Sequence, residues 1–208
     1  MIGIMADSHG QIETIRDALA VFDELGCGAI YHLGDVCDSA HPETADACIQ
    51  LLQDRQVETI KGNNDQAIVA NHCSRETSPV SKGVLEALRN LDLVKYHSRS
   101  MFIHSLPFIQ ELGLSSLIGA MGAMEIRRYC REFPGKILFR GHSHNPELAW
   151  LEGPQVKVES LTAGVRLNLA NRIPCVVTCG ALTRGLCMIW DPAENYIKSL
   201  SFGRNHAG

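Results

Sequence analysis

Short polar clusters rich in aspartate, asparagine and histidine follow five apolar runs of this chain. The clusters are Asp7-Ser8-His9, Gly34-Asp35-Val36-Cys37-Asp38, Gly62-Asn63-Asn64-Asp65, His104-Ser105 and Gly141-His142-Ser143-His144. Each run is short enough to be a buried strand, and α/β sheets bind ligands beyond the carboxyl ends of their strands. Carboxylate, amide and imidazole groups far apart in sequence are therefore expected to converge on one rim, as in a dinuclear metal site.

The spacing within the clusters restricts how they could bind metal. Asp7 and His9 are two residues apart, as are His142 and His144, so each pair can serve a metal site only where the strand has given way to a turn. Gly141 permits a tight backbone at that point. Each motif alone is an ordinary turn sequence, so the prediction depends on all five clusters occurring together.

Length and composition predict one domain over residues 1–208. The chain is 45% hydrophobic, enough for a sizeable core. Its formal net charge is −4 and no block of like charges occurs, which argues against a nucleic-acid or membrane surface. No segment approaches the roughly 18 apolar residues of a membrane span, and the N-terminus enters a strand without a leader-like region.

The eight cysteines form no Cys-x-x-Cys pair and are spread over the whole chain. This distribution indicates reduced thiols and argues against a structural zinc site, which needs closely spaced ligand pairs. We therefore expect a cytoplasmic protein.

The periodicity of apolar residues predicts an α/β first half and a second half of short strands. Helices are expected at 11–25, 42–53, 80–91 and 115–132. Strands are expected at 2–6, 29–33, 57–60, 93–96, 100–104, 136–140, 147–151, 155–159, 165–169, 174–179, 185–190 and 195–202. This order favours two sheets packed face to face, with helices outside.

The five clusters occur in the order that is typical of the calcineurin-like metallophosphoesterases, which this chain resembles over residues 7–144. The matching motifs are Asp-x-His, Gly-Asp-x-x-Asp, Gly-Asn-x-Asp, a strand-end histidine and Gly-His-x-His. The short loops and Asn64 are most similar to the small prokaryotic phosphodiesterase branch. The resemblance implies a four-layer α/β/β/α sandwich of two mixed sheets flanked by helices.

The resemblance also implies a ligand set and a reaction. One metal would be held by Asp7, His9, Asp35 and His144, and the other by Asp35, Asn63, His104 and His142, with Asp35 bridging. The expected cofactors are two divalent ions, and Mn²⁺ is the first candidate. The mixture of oxygen and imidazole ligands would also accept Fe, Ni or Zn. The expected reaction is hydrolysis of a phosphodiester or phosphomonoester, in a small-molecule or nucleotide substrate, by in-line attack of a metal-bridging hydroxide.

Two further residues are expected to support catalysis. Asp38 would orient a ligand or a metal-bound water, although it could instead cap a turn. Asn64 stands where many relatives carry a histidine that protonates or stabilises the leaving group. An amide donates a hydrogen bond but delivers no proton, so we expect a preference for good leaving groups.

Other positions depart from the family pattern or stay open. Ser39 stands where many relatives carry an arginine near phosphate. Arg184 could contact substrate, although an exposed turn arginine is the simpler interpretation. His97 competes with His104 as the metal ligand, and His104 is preferred because an apolar strand leads straight into it.

Two alternative functions remain. The chain could be a non-catalytic protein-binding scaffold on the same fold, as is a retromer subunit that resembles the family, although such scaffolds tend to lose metal-binding histidines. It could also act on dinucleoside polyphosphates or protein phosphates, although relatives that do so generally carry histidine at the position of Asn64.

Overall fold

A computed structural model describes residues 1–203 of the chain. The helices within that range are α1 Ile12–Glu24, α2 Ala45–Asp54, α3 Asn63–His72, α4 Lys82–Asn90, α5 Ile109–Leu112 and α6 Ala123–Glu132. The strands are β1 Ile2–Met5, β2 Ala29–His32, β3 Glu58–Thr59, β4 Val94–His97, β5 Ser100–Ile103, β6 Ile137–Arg140, β7 Glu147–Glu152, β8 Gln155–Ser160, β9 Arg166–Asn168, β10 Cys175–Thr178, β11 Leu186–Asp191 and β12 Tyr196–Ser201. None of the helices in residues 1–203 has the length and apolar character that crossing a membrane requires.

The strands form two mixed sheets of six strands each. The first sheet has the order β3-β2-β1-β11-β12-β9, and the second has the order β4-β5-β6-β10-β7-β8. Strands β1, β2 and β3 run parallel to one another, and so do β5, β6 and β10. The remaining neighbours pair antiparallel. The carboxyl ends of each parallel set therefore lie together at one edge of its sheet.

The alternation of side chains in β1 shows how this strand separates two layers of core. Ile2 and Ile4 belong to the cluster between the sheets, whereas Met5 belongs to the cluster under the helices. Gly3 faces the same helices, where a Cβ atom would lie 2.7 Å from the Phe22 ring of α1. The strand is thus apolar throughout because both of its faces are buried.

Aromatic side chains fill the space between the two sheets. Tyr31 of the first sheet stacks on Phe102 of the second, with ring centroids 4.0 Å apart. The Trp190 ring of the first sheet lies 5.0 Å from the ring of Phe139 in the second. All four side chains are buried, so they lock the sheets face to face.

Helices cover the outer faces of both sheets. Apolar residues of α1, α2, α3 and α4 pack together in the core cluster outside the first sheet, and residues of α6 pack outside the second. The arrangement is the expected four-layer α/β/β/α sandwich of two mixed sheets flanked by helices.

The predicted elements differ from the observed ones at several places, and helix α5 Ile109–Leu112 lies where no element was predicted. Helix α3 was not predicted, because Gly62-Asn63-Asn64 was interpreted as a turn. Its signal is the capping pair of Gly62 at the N-cap and Asp65 at the third helical position. The helix predicted over 115–132 is shorter, since α6 begins at Ala123 after a 3-10 turn at Gly113–Leu117. The helix predicted over 42–53 begins as a 3-10 turn at Pro42–Thr44.

Candidate metal centre

The loops that follow the parallel strands lie side by side at one rim of the molecule. The amide N–H of Asp7 donates to the Gly34 carbonyl at 3.1 Å, so the loops after β1 and β2 stay paired beyond their strands. In the second sheet, the amide N–H of Gly141 donates to the His104 carbonyl at 3.1 Å. The two sheets meet where the His142 amide donates to the Asp7 carboxylate at 3.0 Å. The Asn64 backbone N–H donates to Asp35 Oδ1 at 2.8 Å, so all five predicted clusters reach the same place.

Five of the residues predicted as ligands have left-handed backbone conformations. Their φ angles are 56° at Asp7, 44° at His9, 53° at Asp35, 69° at His142 and 62° at His144. Such a conformation costs a non-glycine residue about 1 kcal/mol or more, although aspartate and histidine adopt it more readily than most. Five strained residues in one cluster are typical of a functional site, where the surrounding structure imposes the geometry. The strain also explains how ligands two residues apart can converge.

The first group of candidate ligands joins the loops after β1 and β6. One donor atom from each of Asp7, His9 and His144 lies within 4.8 Å of the others. The two imidazole Nε2 atoms are 3.3 Å apart, and the His144 Nε2 is 3.7 Å from Asp7 Oδ1. The His9 Nε2 lies 3.9 Å from Asp35 Oδ2. These four side chains are the predicted ligands of one metal.

The second group gathers around the buried His104. The Nδ1–H of this ring donates to the Leu33 carbonyl at 2.8 Å, which leaves Nε2 with a free lone pair. That Nε2 atom lies 3.0 Å from Asn63 Oδ1, 3.2 Å from His142 Nδ1 and 3.5 Å from Asp35 Oδ1. The amide and carboxylate oxygens have no hydrogen to donate, so lone pairs face lone pairs. A cation between them would turn this repulsion into coordination.

The protonation equilibria of the group also suit a bound cation. Burial lowers the pKa of His104 to about 4, and burial also lowers the pKa values of His142 and His144, so these rings are neutral near pH 7. Burial raises the pKa of Asp7 well above its usual range, and the nearby Asp35 carboxylate raises it further. Metal binding requires neutral imidazoles and would stabilise both carboxylates as anions. The residues present therefore fit a divalent metal.

Two glycines allow the loops after β2 and β3 to approach this closely. A Cβ atom on Gly62 would lie 2.0 Å from the backbone N of Asp35 and 2.2 Å from its Oδ1. A Cβ atom on Gly34 would lie 2.8 Å from His104 Nδ1, and the φ of Gly34 is +86°. Larger residues at these positions would push the candidate ligands apart.

Asp65 is a buried carboxylate that sequence reasoning did not select as a site residue. It accepts hydrogen bonds from the backbone N–H groups of Asp35 at 3.0 Å, Cys37 at 3.0 Å and Gly62 at 2.8 Å. Burial raises its pKa to about 6. These bonds hold the Asp35 loop against the start of α3. The signal was available, because Asp65 ends the Gly-Asn-x-Asp motif.

Arg140 is a second residue that sequence reasoning missed. It ends β6 as a buried cation, and its Nε donates to the Ser105 carbonyl at 2.9 Å. Its Nη1 lies 3.3 Å from Ser143 Oγ and 3.4 Å from Thr178 Oγ1. The guanidinium thus connects three strand-end loops of the second sheet. An arginine that follows an apolar strand has no sequence feature that separates it from a surface arginine.

The two predicted supporting residues lie in different surroundings. Asn64 contacts the cluster directly, since its Nδ2 donates to Asp35 Oδ2 at 2.8 Å. Asp38 is half-buried, and its Oδ1 accepts the backbone N–H of Ala40 at 2.8 Å. Within residues 1–203, Asp38 makes no hydrogen bond or ion pair to another predicted site residue. Its role in orienting a ligand stays a prediction, and the observed contact is that of a turn cap.

The structure also shows where the two competing histidines and Arg184 lie. His104 lies within the cluster, whereas His97 packs edge-on against Trp190, with ring centroids 6.1 Å apart. Arg184 is exposed at the rim and donates to Asn145 Oδ1 at 2.6 Å, next to His144.

A four-layer sandwich with aspartate, asparagine and histidine at the strand ends defines a class of metal-dependent phosphoesterases. The sequence matches the calcineurin-like phosphoesterase superfamily domain over residues 1–164. The chain belongs to this superfamily. A comparison with curated proteins finds no significant match.

Solved structures share the whole architecture at low sequence identity. A metallophosphoesterase from Sphaerobacter thermophilus is 16% identical, with a TM-score of 0.78 over 98% of this chain and 88% of that one. A hypothetical protein from Pyrococcus horikoshii OT3 is 14% identical, with a TM-score of 0.68 over 99% and 90% of the two chains. An archaeal phosphodiesterase is 16% identical, with a TM-score of 0.50 over 97% and 99%. At such identities these likenesses show the fold alone.

Proposed function

We propose that this protein is a dinuclear metal-dependent hydrolase of phosphodiester or phosphomonoester bonds. The observation that carries the proposal is the convergence of two groups of lone-pair donors, around His9 and around His104, on the shared Asp35 carboxylate. Two divalent ions, for which Mn²⁺ is the first candidate, would lower the pKa of a water molecule for attack on phosphorus. They would also neutralise the charge of the phosphoryl oxygens. Family membership supports a phosphoester as the substrate.

The chain's own residues would hold this centre in a set geometry. Asp7, His9 and His144 would hold one ion and Asn63, His104 and His142 the other. Asp35 would serve both, because its Oδ2 faces His9 and its Oδ1 faces His104. The hydrogen bonds from the His104 ring to the Leu33 carbonyl and from the Asp35 backbone N–H to the Asp65 carboxylate keep this arrangement rigid. Such preorganisation lets the ligands act without rearranging during the reaction.

The leaving-group side of the site would favour stable leaving groups. Asn64 reaches Asp35 with its NH₂ group, so it can donate a hydrogen bond to a leaving oxygen but cannot protonate it. Rates with alkyl phosphoesters should therefore fall well below rates with nitrophenyl phosphoesters. Equal rates on both, with chemistry shown to limit them, would contradict this part of the proposal.

Metal content and hydrolysis test the proposal together. Purified protein should bind about two Mn²⁺ ions per chain and hydrolyse mono- or bis-nitrophenyl phosphate. Asp35→Asn and His142→Ala should abolish hydrolysis. The matched controls Asp54→Asn and His41→Ala, both at the exposed surface, should leave it intact.

The scaffold alternative makes the opposite prediction. A protein with a full metal complement and no hydrolysis of any of these esters would favour a binding role.

The cytoplasmic location and the single domain over 1–208 are part of the same proposal. All eight cysteines are free thiols, which supports that location.

A further inference from the structure

Two positions that depart from the family pattern contact each other in this protein. Ser39 follows the Gly-Asp-x-x-Asp motif and Asn64 lies within Gly-Asn-x-Asp, 25 residues along the chain. The Ser39 hydroxyl donates to Asn64 Oδ1 at 2.8 Å, and the Ser39 backbone N–H donates to the same oxygen at 3.3 Å. Both residues are half-buried at the rim of the candidate metal centre.

These contacts determine which way the Asn64 amide faces. A backbone N–H can only donate, so the atom near Ser39 must be the amide oxygen. The NH₂ group then faces Asp35, whose carboxylate can only accept, and the Nδ2 to Oδ2 distance is 2.8 Å. The Asn64 backbone N–H donates to the other oxygen, Asp35 Oδ1, at 2.8 Å. Asn64 therefore contacts both oxygens of the predicted bridging carboxylate.

The NH₂ group carries two hydrogens, and within residues 1–203 only Asp35 accepts one of them. The second hydrogen, on the same nitrogen, has no hydrogen-bond acceptor in that part of the chain. If the Asn64 side-chain amide were flipped, its oxygen would face the Asp35 carboxylate, and no hydrogen-bond donor of Asn64's side chain would face Asp35. The orientation set by Ser39 is thus the orientation that keeps a hydrogen-bond donor beside the cluster.

We infer that Ser39 is a positioning residue that fixes the Asn64 amide with its NH₂ group toward Asp35 and the leaving oxygen of a bound phosphoester. The inference rests on the proposed function and deepens it. Ser39 acts through Asn64 and touches neither the candidate ligands nor, in this role, the substrate. The serine and asparagine at these two positions then form one unit, a neutral donor that is held in place.

A double-mutant cycle tests whether Ser39 acts through Asn64. Ser39→Ala removes one neutral hydrogen bond and should lower kcat about 2- to 10-fold with little change in KM. In an Asn64→Ala background the same change should alter kcat by less than about 1.5-fold, because the effects of coupled residues are not additive. An equal loss in both backgrounds would overturn the inference.

Comparing rates for different leaving groups distinguishes a positioning role of Ser39 from a merely structural one. The loss in Ser39→Ala should be larger for alkyl phosphoesters than for nitrophenyl phosphoesters, since poor leaving groups depend more on the donor. Ser39→Thr keeps the hydroxyl and should retain the wild-type rate. As a control, Ser74→Ala removes an exposed hydroxyl two residues beyond the end of α3. A loss that is the same for every leaving group would contradict the inference.

The metal-free protein gives a measurement that is independent of turnover. The side-chain NH₂ resonances of Asn64, identified by their absence in Asn64→Ala, should shift in Ser39→Ala, while those of Asn168, in β9 at the opposite edge of the first sheet, stay in place. Unchanged Asn64 resonances would overturn the inference. If neither the wild type nor any variant hydrolyses a phosphoester but these resonances shift, the proposed function is wrong, and the Ser39–Asn64 contact is still supported.

Discussion

His32 offers a quantitative test of how the core supports the candidate metal centre. This side chain lies fully buried at the end of β2, with its Nε2 3.0 Å from Ser8 Oγ. The Ser8 hydroxyl donates its single hydrogen to the Val36 carbonyl at 3.1 Å, so it must accept from His32 Nε2–H. The Nδ1 atom is buried without a hydrogen-bond partner in residues 1–203. The ring is therefore held neutral beneath the loops that carry Asp7 and Asp35.

The magnitude follows from the pKa difference between the folded and unfolded chains. Burial lowers the pKa of His32 from 6.5 to about 3 in the folded protein. Below pH 6.5 the unfolded chain binds a proton that the folded chain does not, so stability is full above that pH and is lost as the pH falls toward 3. Between about pH 7.5 and about pH 5 the loss from this one group is about 2 kcal/mol.

Urea unfolding of the metal-free protein at both pH values measures this loss. The comparison is with His32→Gln, which keeps an amide donor for Ser8 but does not titrate. The wild type should lose about 2 kcal/mol more than the variant on acidification, or about 1 M in the urea midpoint. Every other titrating group is common to both proteins and cancels.

The same loss of stability in the wild type and in His32→Gln would refute the reasoning. An independent check is the NMR signal of the His32 ring, which should show no titration between about pH 7.5 and about pH 5, because the folded-state pKa is about 3. A midpoint near 6.5 would show that the ring is accessible to solvent, and the buried Ser8 contact would then be wrong.

Three further predictions concern the centre itself. Gly62→Ala should weaken Mn²⁺ binding more than about 10-fold by calorimetry, since the new Cβ would lie 2.0 Å from the backbone N of Asp35. Gly83→Ala is the control and should bind Mn²⁺ normally, because the space around Gly83 is open. Normal Mn²⁺ binding by both variants would contradict the packing argument. Asn64→His should raise hydrolysis of alkyl phosphoesters by about 10²-fold by supplying a general acid, with little effect on nitrophenyl esters; no gain in steady-state rates would count against the missing-acid interpretation. His104→Ala should lose metal by elemental analysis while His97→Ala retains it, and full retention by the former would remove His104 from the ligand set.

Most of the fold was predictable because its elements carry local signals. Apolar alternation and turn residues located nearly every strand, and the face-to-face arrangement of two sheets followed from their order. The exceptions have local causes. Helix α3 begins directly in a glycine-asparagine motif that resembles a turn, so its capping pair was the only cue. The segment from 115 to 122 was included in a predicted helix, but half of its residues are serine or glycine, and α6 begins only after Gly122.

The sequence predicted where the candidate ligands lie better than it predicted the residues that support them. Every residue predicted as a metal ligand lies at the common rim, because parallel strands place their carboxyl ends together. Arg140 was missed because nothing local distinguishes it, whereas Asp65 was marked by the Gly-Asn-x-Asp motif and only the fold shows what it does. Asp65 acts by accepting three backbone hydrogen bonds from two different loops, and Arg140 by donating to loops that are remote in sequence.

The sequence by itself determined the kinds of donor atom, the strand ends that present them and the family to which they point, since these depend on residue type and local periodicity. Only the tertiary structure decided how the donors face one another. The left-handed backbone at Asp7 and Asp35, the tautomer of His104 and the orientation of the Asn64 amide each depend on a partner from another loop. Such partners meet only in the folded chain: Leu33 and His104 come from different sheets, and Ser39 and Asn64 follow neighbouring strands of the first sheet. Hydrogen-bond direction is a property of the assembled fold.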